Sequence, residues 1–97
     1  MYALAVIRYR KPFEAVEKVL AAHRTYLAGL QAQGLLLASG PLQPRSGGAL
    51  LLRVPDADPD RTLDRIRDED PFTRAGVGQY ELLPWAPVLG QEGLDRL

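Results

Sequence analysis

The chain contains no cysteine among its 97 residues. That excludes disulfides as a source of stability, and with them thiolate metal ligands and cysteine nucleophiles. Net charge is also missing, because twelve Lys and Arg balance twelve Asp and Glu. A nucleic-acid binder draws much of its affinity from neutralising phosphates and carries a basic patch or stripe to do so. The arginines here are scattered from Arg8 to Arg96, most with carboxylates close by in sequence, so no nucleic-acid partner is expected. No apolar run approaches the ~20 residues needed to cross a bilayer. The opening residues, which include Arg8 and Arg10, lack the order of a signal peptide. The expectation is a cytoplasmic protein with no membrane association. Histidine is nearly absent too: His23 stands alone, with no carboxylate at ligand spacing, so no protein-built metal site is expected. Gly76-Val77-Gly78 is too short and wrongly placed for a dinucleotide loop, and no cofactor is expected.

What is present describes one domain over residues 1–97, with a core over about 1–88 and a short tail over 89–97. A chain of this length buries only about 60–65% of the surface it exposes when unfolded, so its own core is marginal. Tyr2 to Arg10 is rich in aromatic and β-branched residues and reads as a strand. Apolar residues at helical spacing (Val16, Val19, Leu20, His23, Leu27, Leu30) predict a helix from Phe13 to about Gln33, closed by Gly34. Leu35 to Ser39 is a second strand, stopped by Gly40-Pro41, and Ala49 to Val54 a third. Asp58-Pro59 reads as an N-cap followed by proline at the first helical position, starting a helix to about Asp68 that buries Leu63 and Ile66. Asp70-Pro71-Phe72 repeats that start signal and predicts one further helical turn. Tyr80 to Leu83 is the last strand, ended by Pro84, Trp85 and Pro87, and the residues beyond Val88 are unassigned. The order β-α-β-β-α-β predicts an α+β fold, with a four-stranded antiparallel sheet and two helices on one face.

The strands carry a second message. A sheet with one face in water alternates apolar and polar residues, whereas Ala3-Leu4-Ala5-Val6-Ile7, Leu35-Leu36-Leu37-Ala38 and Ala49-Leu50-Leu51-Leu52 are apolar on both faces. Two short helices cover one face only. The other would expose more apolar area than a soluble monomer usually carries, which predicts a homodimer paired through the open sheet face by two-fold symmetry.

His23 belongs to the core-facing stripe of the first helix. It reads either as a structural imidazole satisfied by a backbone carbonyl, or as a general acid or base able to change charge near neutral pH. The second role needs a carboxylate to fix the tautomer, and Asp70, at the start of its turn, is the candidate; capping that turn is its alternative role. Ser39 is either a strand-ending hydroxyl bonded to the turn or part of a pocket, and no Gly-x-Ser-x-Gly elbow surrounds it.

Taken together, the strand Tyr2 to Tyr9, His23 followed by Tyr26-Leu27, Gly34-Leu35-Leu36 leading to Ser39-Gly40-Pro41, Asp70-Pro71-Phe72 running to Ala75-Gly76-Val77, and the closing Pro84-Trp85 resemble the YCII-related family. The similarity spans nearly the whole chain. It implies a ferredoxin-like fold related to the dimeric α/β barrels, and a site centred on His23 and Asp70, with Ser39 and Phe72 beside the substrate. It further implies acid–base chemistry on a small cyclic or aromatic metabolite, of the isomerase or elimination type; one branch of the family is linked to dehydrochlorination of a chlorinated hydroxyquinol. The loop between the second and third strands is shorter here than in some members. The alternative is a non-catalytic dimeric module that binds a small molecule or serves another protein.

Overall fold

Alternation along the central strand decides which side chains meet helices. The computed structural model describes residues 1–97. Strand β1 (Tyr2–Tyr9) is followed by helix α1 (Phe13–Ala32), strands β2 (Leu36–Pro41) and β3 (Gly47–Arg53), helices α2 (Pro59–Glu69) and α3 (Pro71–Arg74), strand β4 (Gly78–Trp85) and a final short helix α4 (Gln91–Asp95). The sheet order is β2-β3-β1-β4, antiparallel throughout, which is the ferredoxin-like arrangement. Ala3, Ala5 and Ile7 of β1 stand opposite Leu52, Leu50 and Gly48 of β3. Ala3, Ala5, Ile7, Leu50 and Leu52, together with Val16, Leu63, Ile66 and Phe72 from the helices, belong to the buried core. The intervening residues Leu4, Val6, Ala49 and Leu51 point to the other face and are only half buried, while Leu83 and Trp85 are exposed. The strands are thus apolar on both faces, as their sequence implies.

Helix α1 ends in a hydrogen-bonded cap. Leu35 N–H donates to the Leu30 carbonyl and Gly34 N–H to that of Gln31, both at 3.0 Å. Gly34 supplies the left-handed residue this cap needs, at φ 78°. Tyr26 O–H donates to the Ile66 carbonyl at 2.8 Å and ties α1 to α2; burial pushes this phenol up to about 12.

Strand β3 begins at Gly47, two residues before the expected Ala49, and ends at Arg53; three further features differ from expectation. First, strand β4 runs through Pro84, which pairs with Ala3, and β2 runs through Gly40 to Pro41. Both are edge strands, where a missing N–H can face outward without breaking the ladder. Second, Asp58 makes no capping hydrogen bond with its side chain, because its backbone is left-handed at φ 52°. Third, the tail is ordered. The Tyr2 hydroxyl donates to Asp95, and the Arg53 guanidinium to the carbonyls of Leu94 and Leu97, holding α4 over one end of the open face. No helix is long and apolar enough to cross a membrane.

Candidate active site

The second helix stops where proline forbids continuation. At Asp70 the backbone is extended (φ −65°, ψ 128°), as the residue before Pro71 must be. This turn delivers the Asp70 side chain, completely buried, underneath α1. Its Oδ1 accepts the Phe72 N–H at 2.8 Å, capping α3, and lies 2.8 Å from His23 Nδ1. Its Oδ2 accepts the hydroxyl of Tyr80, which reaches in from β4. A carboxylate donates nothing, so the Nδ1 of the imidazole carries the hydrogen and donates it to Oδ1. In the neutral ring Nε2 then keeps its lone pair. Nε2 has no hydrogen-bond partner in the protein and is not among its sealed polar atoms.

Packing fixes the ring as firmly as the hydrogen bond does. The Phe72 ring lies flat against the imidazole, with centroids 3.7 Å apart and planes 4° from parallel. Phe72 can take this seat because residue 78 is glycine: a Cβ there would stand 3.2 Å from that of Phe72 and 3.0 Å from the Ile7 side chain. Tyr80 is held as a neutral phenol. Burial first, then the charge of Asp70 and the hydrogen bond to it, raise its pKa far above the usual tyrosine range.

The imidazole forms part of the wall of a cavity of about 170 Å³ between α1, β1–β3 and α3. Ile7, Leu27, Leu50 and Phe72 supply its apolar surface, and Ser39, Arg24 and Arg45 its polar rim. His23, Ser39 and Phe72, singled out from the sequence, therefore line one cavity, with Asp70 directly behind the histidine. Ser39 makes no side-chain hydrogen bond to the turn that follows it; on β2 it stands opposite Leu50, and its hydroxyl is free. Tyr80 was not expected from the sequence. Its one signal is parity: residues 80 and 82 of β4 share the face of Ala5 and Ile7, so a phenol is aimed into the core. Arg24 and Arg45 had no signal of their own among ten arginines. A wider groove lies at the other end of the sheet, beside Tyr2, Arg53, Asp56 and Asp95. Tyr2, Arg53, Asp56 and Asp95 are already paired there with the amino terminus or with the tail. No group of three or more His, Asp or Glu side chains converges anywhere in the fold to hold a metal ion.

Comparison with known proteins agrees with this architecture. The YCII-related domain family matches residues 1–86. Among curated proteins none matches the chain. Among solved structures, the chain is similar to 5-chloro-2-hydroxyhydroquinone dehydrochlorinase from Burkholderia phenoliruptrix AC1100, in complex with 2,5-dihydroxybenzoquinone. The TM-score is 0.75 at 22% identity, covering 91% of this chain and 96% of that one. It is also similar to an antibiotic biosynthesis monooxygenase, with a TM-score of 0.56 at 22% identity, covering 90% of this chain and all of the other. At this identity these likenesses speak for the fold.

Proposed function

This chain belongs to the YCII-related domain family, and on that footing we propose that it is a small cofactor-independent enzyme using His23 as a general base, then acid, on a small cyclic or aromatic molecule. The observation that carries this reading is the 2.8 Å contact of His23 Nδ1 with a fully buried carboxylate, which leaves Nε2 as the one basic atom on the cavity side. A proton taken from the ligand by Nε2 makes an imidazolium whose charge Asp70 offsets at hydrogen-bond distance. The Phe72 amide and the Tyr80 hydroxyl hold that carboxylate in place. Phe72 prevents the ring from turning away, and Ser39 offers a free hydroxyl to an oxygen of the ligand.

Acid–base help of this kind contributes roughly 10²–10⁴-fold in rate. That suffices for isomerisation, or for elimination from an already acidic position. The relative named as a dehydrochlorinase of a chlorinated hydroxyquinol makes such substrates the first to try. One ring hydroxyl loses its proton and becomes a carbonyl as the displaced ring pair takes a proton at the chlorine-bearing carbon. A second hydroxyl then loses its proton to Nε2, forming the other carbonyl as the displaced pair expels chloride with the C–Cl bonding pair. With a turned-over substrate in hand, His23→Ala and Asp70→Asn are expected to lower kcat by about 10²-fold or more while remaining folded. Turnover unchanged in both folded variants refutes the proposal and favours a binding module.

The open face of the sheet we assign to a second copy of this chain. Leu4, Val6, Leu51 and Leu83 form a flat apolar surface beside the tail helix, and a two-fold axis lets one such surface cover another. Light scattering is expected to give twice the chain mass, and Val6→Arg the monomer. A wild-type monomer at micromolar concentration contradicts this.

A further inference from the structure

Charge cancels over the whole chain but not around the cavity. Its lining includes Arg24 and Arg45 and no Asp or Glu. Neither guanidinium belongs to an ion pair: the arginines that do are Arg8, Arg67 and Arg96. Asp70 cannot neutralise them either, since it is fully buried behind the imidazole with both oxygens engaged by Phe72, His23 and Tyr80. Arg45 is nevertheless held, with its guanidinium carbon 4.9 Å from the centre of the Phe13 ring. Such a contact steadies a cation without cancelling its charge. Arg24 follows His23 on α1, one helical position around the axis. Two unneutralised guanidinium groups therefore border a small apolar hollow whose polar wall holds the candidate base.

We propose that the ligand of this cavity is an anion, a single ring bearing a carboxylate or an ionised ring hydroxyl, which Arg24 and Arg45 bind at the rim while the ring rests on the apolar wall beside His23. A guanidinium presents several N–H donors in a planar fork suited to such oxygens, and the positive rim raises the local concentration of anions. This rests on the reading of the cavity as the site of chemistry, and it adds the charge class of the substrate.

The test is an NMR titration of the intact protein with 2,5-dihydroxybenzoquinone, a vinylogous acid ionised at neutral pH, against its uncharged dimethyl ether. It is run on the wild type, Arg24→Gln, Arg45→Gln, the double variant, and Arg61→Gln as an exposed control on α2. The expected result is that the anion moves the His23 ring signals, with about tenfold weaker binding in each cavity variant. The double variant binds more weakly still, the control is unchanged, and added salt weakens wild-type binding. The ether should bind weakly and equally to all. Affinity within about twofold across the variants, or an ether that binds the wild type as tightly as the anion, overturns the inference and leaves a site for neutral rings, so the proposed chemistry survives. If neither probe nor benzoate moves the His23 signals, the inference falls and the cavity loses its standing as a site.

Discussion

Two turns in this molecule begin with the same two residues and end in opposite circumstances. Asp58-Pro59 opens α2 and Asp70-Pro71 opens α3, each with proline at the first helical position. Asp58 is exposed, left-handed at φ 52°, and makes no capping bond. Asp70 is fully buried, caps α3, and gathers a backbone amide, an imidazole and a phenol around one carboxylate. The local chemistry of the two dipeptides is the same. What separates them is what the fold lays on top: α1 crosses above Asp70 and brings His23, and β4 passes beside it and brings Tyr80, whereas Asp58 sits at the rim with nothing over it. A capping residue has here been drawn into a buried polar network, and a buried network constrains every member.

The contrast is sharpest under matched substitutions. Asp70→Ala strips the cap and leaves two buried donors, His23 Nδ1–H and Tyr80 O–H, without an acceptor. It should destabilise the fold by about 3–5 kcal/mol, read from the urea midpoint at unchanged m-value. A loss below about 1 kcal/mol would mean that the network is not formed in solution.

Tyr80→Phe should cost about 1.5–3 kcal/mol near neutral pH, since it removes one donor from a buried carboxylate. It also has a pH signature. The folded state keeps this phenol protonated, because its pKa is raised, while in the unfolded chain it ionises near its ordinary value of about 10. Its stabilisation is therefore complete below about pH 10 and declines as pH rises beyond that, so the wild type should lose stability more steeply than Tyr80→Phe between neutral pH and about pH 11. Equal slopes would place the hydroxyl in water. The smallest effect belongs to the other turn: Asp58→Asn keeps a residue tolerant of left-handed backbone and breaks no hydrogen bond, so its midpoint should shift by no more than about 0.5 kcal/mol. A larger loss would show that Asp58 has contacts the fold does not display.

The same contrast shows what the sequence could disclose. The core stripe of α1, the Gly34 stop and the two-faced strands are written in local periodicity, and each element appears at its expected place. His23 was legible because a lone imidazole in an apolar stripe has few places to go, and Asp70 because the turn it starts is marked by proline. The boundaries that failed had reasons outside local sequence. Pro84 and Pro41 remain within strands only because β4 and β2 lie at the edges of the sheet, and edge position is a property of topology. Tail helix α4 is held by Tyr2 and Arg53, far away in sequence. Tyr80 and the two cavity arginines are ordinary residues given meaning by their neighbours. Asp58 and Asp70 could not be distinguished by their own dipeptides at all.

The central claim is that a buried carboxylate sets the tautomer of His23 and leaves Nε2 as the basic atom on the cavity side. Long-range ¹H–¹⁵N correlation of the imidazole reads this directly. In the neutral ring a hydrogen is expected on Nδ1 and none on Nε2, with this preference lost in Asp70→Ala, where no acceptor faces Nδ1. A wild-type ring that carries its hydrogen on Nε2, or a tautomer indifferent to residue 70, would contradict it.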